Sequence, residues 1–181
     1  AALWAAASVN PVSKLRITPM EVTRRTGRVH WSPDGRAFAY GAVVGKTWHV
    51  FLRYLDQPTP VQLTREPNSA LPVGWSPDSR RVFLYSKNPK GSQPPFGLFS
   101  VLVSGGDPEF HIPLARVPFL SPDGTVMATI HREDDGTMSV YTASPVGTAL
   151  KRYAPAPFES KAEVFNVPNV MFAPDLRRMV V

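Results

Sequence analysis

The sequence predicts an all-β chain, and three observations lead to that expectation. Twenty prolines and 12 glycines are spread along the 181 residues, and both residue types disfavour helix interiors. No window carries apolar residues at helical spacing for more than about two turns. A Ser-Pro-Asp turn flanked by short apolar runs recurs along the chain. Many short strands joined by turns account for all three observations.

The recurring turn defines an internal repeat. Its copies read HWSPDGRAFAY from His30, GWSPDSRRVFLY from Gly74 and FLSPDGTVMATI from Phe119, with a divergent MFAPDLRRMVV from Met171. The turn prolines are Pro33, Pro77, Pro122 and Pro174, so successive copies lie 44, 45 and 52 residues apart. A period of roughly 40 to 50 residues is typical of four-stranded propeller blades. We therefore expect a β-propeller fragment of three to four four-stranded blades, from a propeller that closes with about six to eight.

The turn itself has a backbone explanation. Proline presets φ at the second turn position, aspartate bonds its own backbone, and glycine accepts a positive φ before the next strand. The apolar residue before each turn is expected to pack between neighbouring sheets. The residues predicted to have a structural role in the repeat are Trp31, Ser32, Pro33, Asp34, Gly35, Trp75, Ser76, Pro77, Asp78, Leu120, Ser121, Pro122, Asp123, Gly124, Phe172, Pro174 and Asp175.

Alternating polarity and β-branched or aromatic content predict the strands of each blade. In the first blade one strand ends at Trp31, and the others cover 36–41, 47–55 and 60–64. The second blade uses 81–86, 96–103 and 109–112, and the third uses 125–131, 138–143 and 150–153. The segment 41–46 (GAVVGK) is predicted to be a hairpin loop, and Asp135-Gly136 is predicted to turn the middle hairpin of the third blade. Residues 20–23 resemble residues 61–64 and are expected to form an outer strand without its own blade.

The predicted organisation has two parts. Residues 1–13 form an apolar or disordered N-terminal segment, much shorter than the roughly 20 residues that span a bilayer. The segment is either the end of a membrane or signal segment or a disordered N-terminus. Residues 14–181 form the partial propeller, with repeats at about 27–64, 72–112, 117–153 and 168–181.

Composition and motifs argue against a catalytic, cofactor-binding or metal site in this chain. Cysteine is absent, which excludes disulfides and thiolate sites, and no Gly-x-Ser-x-Gly elbow occurs. Residues 41–46 lack phosphate-loop spacing, and the four histidines never fall at metal-ligand spacing. We expect no catalytic, cofactor-binding or metal site. The net charge of +6 comes without a basic stripe, so no nucleic-acid partner is expected.

The WSPDG strings, each followed by an apolar strand, and the closing QLT of residues 62–64 resemble the WD-like repeats of the TolB-like propeller family. The resemblance covers roughly Leu15 to the end. It implies a non-catalytic binding or scaffolding module with a protein or peptide partner, such as the sensory region of a membrane-linked bacterial kinase or regulator, or a TolB-like periplasmic protein. It favours an extracytoplasmic location and implies that the rest of the parent chain closes the ring. The alternative is the substrate-gating propeller of a prolyl-oligopeptidase-like serine peptidase, whose hydrolase domain would lie elsewhere.

Overall fold

The computed structural model describes residues 25–65, 69–88, 93–153, 170–173 and 175–180. Within these ranges the regular secondary structure is entirely β. The strands are β1 (Thr26–Trp31), β2 (Ala37–Val44), β3 (Thr47–Tyr54), β4 (Val61–Gln62), β5 (Ala70–Trp75), β6 (Arg81–Lys87), β7 (Phe96–Leu102), β8 (Glu109–Leu114), β9 (Phe119–Leu120), β10 (Met127–Arg132), β11 (Met138–Ala143), β12 (Lys151–Arg152), β13 (Met171–Phe172) and β14 (Met179–Val180).

Three four-stranded antiparallel sheets follow one another along the chain. Their strand orders are β1-β2-β3-β4, β5-β6-β7-β8 and β9-β10-β11-β12, and β13 pairs with β14 in a further two-stranded sheet. We call these sheets blades 1 to 4. The prediction of an all-β propeller with three to four blades is confirmed. The predicted outer strand at residues 20–23 and the segment 1–13 lie outside the described residues.

The strand ends differ from the predicted ones in several places. β2 continues to Val44, because residues 41–44 pair with residues 47–50 of β3. The predicted hairpin loop at 41–46 therefore shrinks to a turn around Gly45, whose φ is 64°. β10 begins at Met127 rather than Thr125, because the Thr125 amide and hydroxyl both bond to Asp123 in the preceding turn. The outer strands β4 and β12 are shorter than predicted, while β8 reaches Leu114.

Apolar side chains fill the seams between consecutive blades. The first seam joins Ala39 and Leu52 of blade 1 to Trp75 and Leu84 of blade 2. The second joins Phe83 and Leu98 of blade 2 to Met127 and Ala143 of blade 3, and the third joins Ile130 and Val140 to Val170 and Phe172. Successive strand residues point to opposite faces of a sheet, so Val82 and Leu84 of β6 face one seam, and Phe83 and Tyr85 face the other. Blades 2 and 3 thus each have two buried faces, as the inner blades of a propeller require.

The first strands of successive blades lie next to one another, since β5 contacts both β1 and β9. At the first seam, the indole nitrogen of Trp75 donates a hydrogen bond of 2.8 Å to the main-chain carbonyl of His30. At the second seam, the leucine side chain of Leu120 packs directly on Gly74, where a Cβ atom would lie 2.7 Å from Leu120 Cδ2. These contacts make the first strands the shared inner wall of the fragment.

Candidate binding cavity

The Ser-Pro-Asp turns have one geometry in all three full blades. The serine hydroxyls of Ser32, Ser76 and Ser121 each donate to the carboxylate of the following aspartate at 2.6 Å. The same carboxylates accept the main-chain N–H two residues further on, at 3.0 to 3.1 Å. The serines are buried. Each turn is therefore closed by its own side chains, at the end of the blade where the first strand finishes.

The fourth copy keeps the main-chain part of this turn without the serine. Ala173 N–H donates to the carbonyl of Arg178, as the serine N–H groups do in the other copies, and the Arg177 amide donates to Asp175. Pro174 lies outside the described residues. The residue after the aspartate has positive φ in every copy: Gly35 (69°), Ser79 (58°), Gly124 (73°) and Leu176 (57°). The second and fourth copies hold a left-handed conformation without glycine.

The tryptophans before the turns occupy different environments. Trp75 is 3% exposed and lies in the first seam, as expected. Trp31 is 58% exposed, so the expectation that it packs between two sheets is wrong. Its ring makes an edge contact with Phe38, at 5.4 Å between centroids, on the face of blade 1 that points away from blade 2. No described sheet covers that face, whereas blade 1 covers Trp75. Leu120 and Phe172 are half-buried.

A cavity of about 600 Å³ lies along the first strands of the blades. Its wall combines Gly27 and Arg28 of β1, residues 71–73 of β5, residues 116–120 before and within β9, and Val170 ahead of β13. His30, Trp48, Tyr85 and Ile130 complete it. The cavity is therefore assembled from four successive blades. Its volume lies within the range of roughly 300 to 1,000 Å³ that is usual for ligand sites.

The cavity wall is mainly apolar, with a few polar groups. Arg28 and Arg116 bring positive charge, and the guanidinium carbon of Arg28 lies 5.8 Å from the centre of the Phe119 ring. Tyr85 stacks on Phe96 at 5.1 Å. Burial raises the pKa of the Tyr85 phenol, and the Arg116 charge acts against that shift. Tyr85 is thus a neutral hydrogen-bonding group at physiological pH.

His30 is the histidine of the cavity wall. Burial, together with the charge of Arg28, lowers the pKa of His30, while a hydrogen bond with the main chain of Pro72 acts in the opposite direction. Its Nε2 atom is buried and makes no hydrogen bond to the described residues. His30 is therefore neutral near pH 7, and the positive charge of the wall comes from the arginines.

A second polar cluster lies within blade 2, on its second, third and fourth strands. His111 Nε2 is 2.9 Å from the hydroxyl of Ser100, and Arg81 Nη1 donates to Ser100 at 2.8 Å and to Glu109 at 2.7 Å. A serine beside a histidine invites comparison with a nucleophile and its base. Ser100 is fully buried, so no substrate reaches its hydroxyl. The cluster links strands β6, β7 and β8.

The described residues hold no group of three or more histidine, aspartate or glutamate side chains that could ligate a metal. No helix in the described part of the chain is long and apolar enough to cross a membrane. The turn aspartates Asp34, Asp78 and Asp123 lie in separate blades, each bonded within its own turn. The cavity lies along the first strands and reaches His30 and Leu120, close to the turns that follow these strands.

Sequence reasoning did not identify the cavity residues. Arg28, Arg116 and Tyr85 carry no motif. Arg28 lies four residues before Ser32 and Arg116 five residues before Ser121, so both arginines stand just before or early in a first strand. Only the stacking of blades brings these positions together.

No protein-family model matches the chain, and no curated protein does either. Solved structures do match. A putative TolB from Agrobacterium tumefaciens shares 20% identity at a TM-score of 0.60, over 74% of this chain and 50% of that one. A chain in a nidogen/laminin complex shares 12% identity at a TM-score of 0.57, over 86% of this chain and 56% of that one. The Pyrococcus horikoshii acylaminoacyl peptidase shares 14% identity at a TM-score of 0.50, over 71% and 24%.

The chain thus spans about half the length of the first two structures and a quarter of the third. At these identities the likeness concerns the fold, which hosts several functions. Together with the three blades and their repeated turns, it shows that the chain is part of a β-propeller.

Proposed function

We propose that this chain is a non-catalytic binding module that holds a segment of a partner protein in the cavity along the first strands. The observation that carries the proposal is the cavity itself, assembled from four blades and lined mainly by apolar and aromatic side chains. Such a site suits a short extended segment, because side chains can bury apolar area while a few polar groups fix the orientation.

The similarity to TolB and to a chain of a nidogen/laminin complex supports a protein partner. The module would act as the sensory or interaction region of a larger bacterial protein outside the cytoplasm. The remainder of the parent chain would supply the blades that close the ring.

A binding selection tests the proposal. Linear peptides are selected from a random display library against the purified 181-residue chain, and their affinity for the chain is measured by fluorescence anisotropy. Val117 lines the cavity and is 37% exposed, whereas Val61 is 43% exposed on β4, away from the cavity. Val117→Trp fills the cavity, and Val61→Trp is the matched control.

We expect Val117→Trp to weaken the selected peptides at least ten-fold, and Val61→Trp to change their affinity less than two-fold. Equal affinity for both variants would place the site elsewhere and contradict the proposal. So would a selection that yields no binder.

A second candidate is the substrate-gating propeller of a serine peptidase, favoured by the likeness to the acylaminoacyl peptidase. The chain has no Gly-x-Ser-x-Gly elbow, so the hydrolase would belong to another part of the parent protein. Sequencing the parent gene beyond both ends of this chain distinguishes the two. A nucleophile elbow downstream would establish the gate, and a kinase or winged-helix domain with a membrane helix would establish the sensor.

A further inference from the structure

His30 stands at the joint between the first strands of blades 1 and 2. Its main-chain carbonyl accepts the indole N–H of Trp75 on β5. Its side chain lies in the cavity wall beside residues 71–73 of the same strand, and its imidazole bonds to the main chain of Pro72. One residue of β1 is therefore attached to β5 through both its main chain and its side chain.

The hydrogen bonds of the His30 ring suit its neutral form. Proline has no N–H group, so the ring donates to the Pro72 carbonyl. The Nε2 atom is buried and makes no hydrogen bond to the described residues, so Nδ1 is the donor. A neutral imidazole carries one N–H, whereas the charged ring carries two. Charging His30 in place would therefore leave a buried N–H without an acceptor in the described part of the chain.

The groups around His30 do not compensate a charge on its ring. β5 carries no titratable side chain, and β2 places Ala39 opposite His30. The charged and titratable side chains that share the cavity wall with it are Arg28, Arg116 and Tyr85. Burial lowers the pKa of His30, and the charge of Arg28 lowers it further, against the effect of the main-chain hydrogen bond. His30 therefore stays neutral while the joint is closed.

We propose that the joint between blades 1 and 2 is acid-sensitive: protonation of His30 loosens β1 from β5 and alters the cavity that both strands line. A charged ring turns its second N–H towards water, because a buried N–H without an acceptor is costly. In leaving its place the ring breaks the bond to Pro72. This behaviour goes beyond the proposed function, because it needs no ligand in the cavity.

Proton linkage gives the direction of the effect. With the joint open, His30 takes up a proton near its ordinary pKa of about 6.5, and with the joint closed it does so only at lower pH. The closed joint is therefore fully stable above about pH 6.5 and loses stability as the pH falls below that value. At pH 5.5 this single group raises the population of the open joint by at most about ten-fold.

Hydrogen exchange of the tryptophan indoles, followed by NMR on the full 181-residue chain, tests the proposal. The indole N–H of Trp75 is protected while it bonds to His30, and the indole of Trp31, whose side chain is 58% exposed, serves as the reference. The ratio of the two exchange rates removes the intrinsic dependence of exchange on pH. The variant His30→Gln stays neutral and keeps a donor for Pro72. The matched control, His111→Gln, removes a histidine on β8.

In the wild type we expect the protection of Trp75 relative to Trp31 to fall at least about three-fold between pH 7.5 and 5.5. In His30→Gln the ratio should change less than about 1.5-fold, because no proton is taken up at the joint. In His111→Gln it should fall as far as in the wild type. A constant ratio in the wild type, an equal fall in His30→Gln, or a fall that disappears in His111→Gln would overturn the proposal.

A second measurement on the wild type needs no variant, so it decides the matter even if His30→Gln does not fold. The ring resonances of His30 report which nitrogen carries the proton and the pH at which the ring titrates. We expect the proton on Nδ1 and a titration midpoint below the ordinary value of about 6.5. A proton on Nε2, or a midpoint at or above the ordinary value, contradicts the proposal and leaves the binding module untouched.

Discussion

The indole of Trp75, at the end of the first strand of blade 2, donates its N–H to the main-chain carbonyl of His30 in blade 1, at 2.8 Å. The donor side chain is 3% exposed. This hydrogen bond fixes blade 2 against blade 1 at the level of the turns, and the same His30 contributes its side chain to the cavity wall. The seam and the cavity are therefore coupled through one residue.

Substitution of Trp75 should destabilise the chain far more than substitution of Trp31. Trp75→Ala removes a large buried side chain and should cost about 3 to 5 kcal/mol, while Trp75→Phe, which keeps much of the apolar surface, should cost about 1 kcal/mol for the lost hydrogen bond. Trp31→Ala should cost about 1 kcal/mol, because Trp31 is mainly exposed and contacts Phe38 at its edge. Urea unfolding followed by circular dichroism measures all three. Equal losses for the two alanine variants would contradict the seam assignment.

Alanine should be tolerated differently at two equivalent turn glycines. Gly35 and Gly124 have nearly the same positive φ, 69° and 73°. A Cβ at Gly35 meets nothing within 4 Å, whereas a Cβ at Gly124 would overlap the main-chain carbonyl of Trp75. Gly35→Ala should cost about 1 to 2 kcal/mol for the left-handed conformation, and Gly124→Ala clearly more, because blade 3 must move away from blade 2. Thermal unfolding midpoints compare the two, and a smaller loss for Gly124→Ala would disprove the close approach.

The turn aspartates should make stability depend on acid pH. Hydrogen bonds from Ser32 to Asp34 and from Ser76 to Asp78, then from the main-chain amides, lower the pKa of both carboxyls. A carboxyl with a lowered folded pKa contributes stability above its unfolded pKa, and that contribution is lost as pH falls through the folded value. The urea concentration at the midpoint of unfolding should therefore decrease as the pH is lowered below about 4. In the double variant Asp34→Asn, Asp78→Asn the fall should be shallower, and an unchanged slope would show that these turns do not titrate.

His111 should give a second pH dependence at higher pH. Burial, and also Arg81, lowers its pKa, while Glu109 acts in the opposite direction. It lies against Phe83 and Gly147 and bonds to Ser100. The unfolded chain takes up this proton near pH 6.5 and the folded chain only at lower pH, so stability should decline as pH falls below about 6.5. His111→Gln should reduce the dependence of the urea midpoint on pH between pH 7.5 and 5.5. It should not abolish this dependence, because two other histidines with lowered pKa, His30 and His131, remain. The exposed control Lys46→Gln should leave the slope unchanged, and a slope equal to the wild type in His111→Gln would refute the assignment.

Much of the fold was predictable from the sequence because the hydrogen bonds of the repeated turn join residues that are close in the chain. The turn aspartates bond within their own turns, and the bounds of β11 match the prediction. Strand ends were less predictable: residues 42–44 were predicted to lie in a loop, yet pairing with β3 holds them in a strand. The exposure of Trp31 and the cavity depend on which blades are neighbours, a property that no local window contains.

The two contacts between first strands give the blades an order. A hydrogen-bonding indole locks blade 2 to blade 1, whereas a leucine seated on glycine locks blade 3 to blade 2. Equivalent strands of different blades therefore cannot replace one another. A shuffled chain with the second and third repeats exchanged would set a leucine opposite the carbonyl of His30 and would lose the glycine that admits Leu120, so neither joint would close. The residues that repeat specify the fold of each blade, whereas the residues that differ between repeats specify which blades can be neighbours.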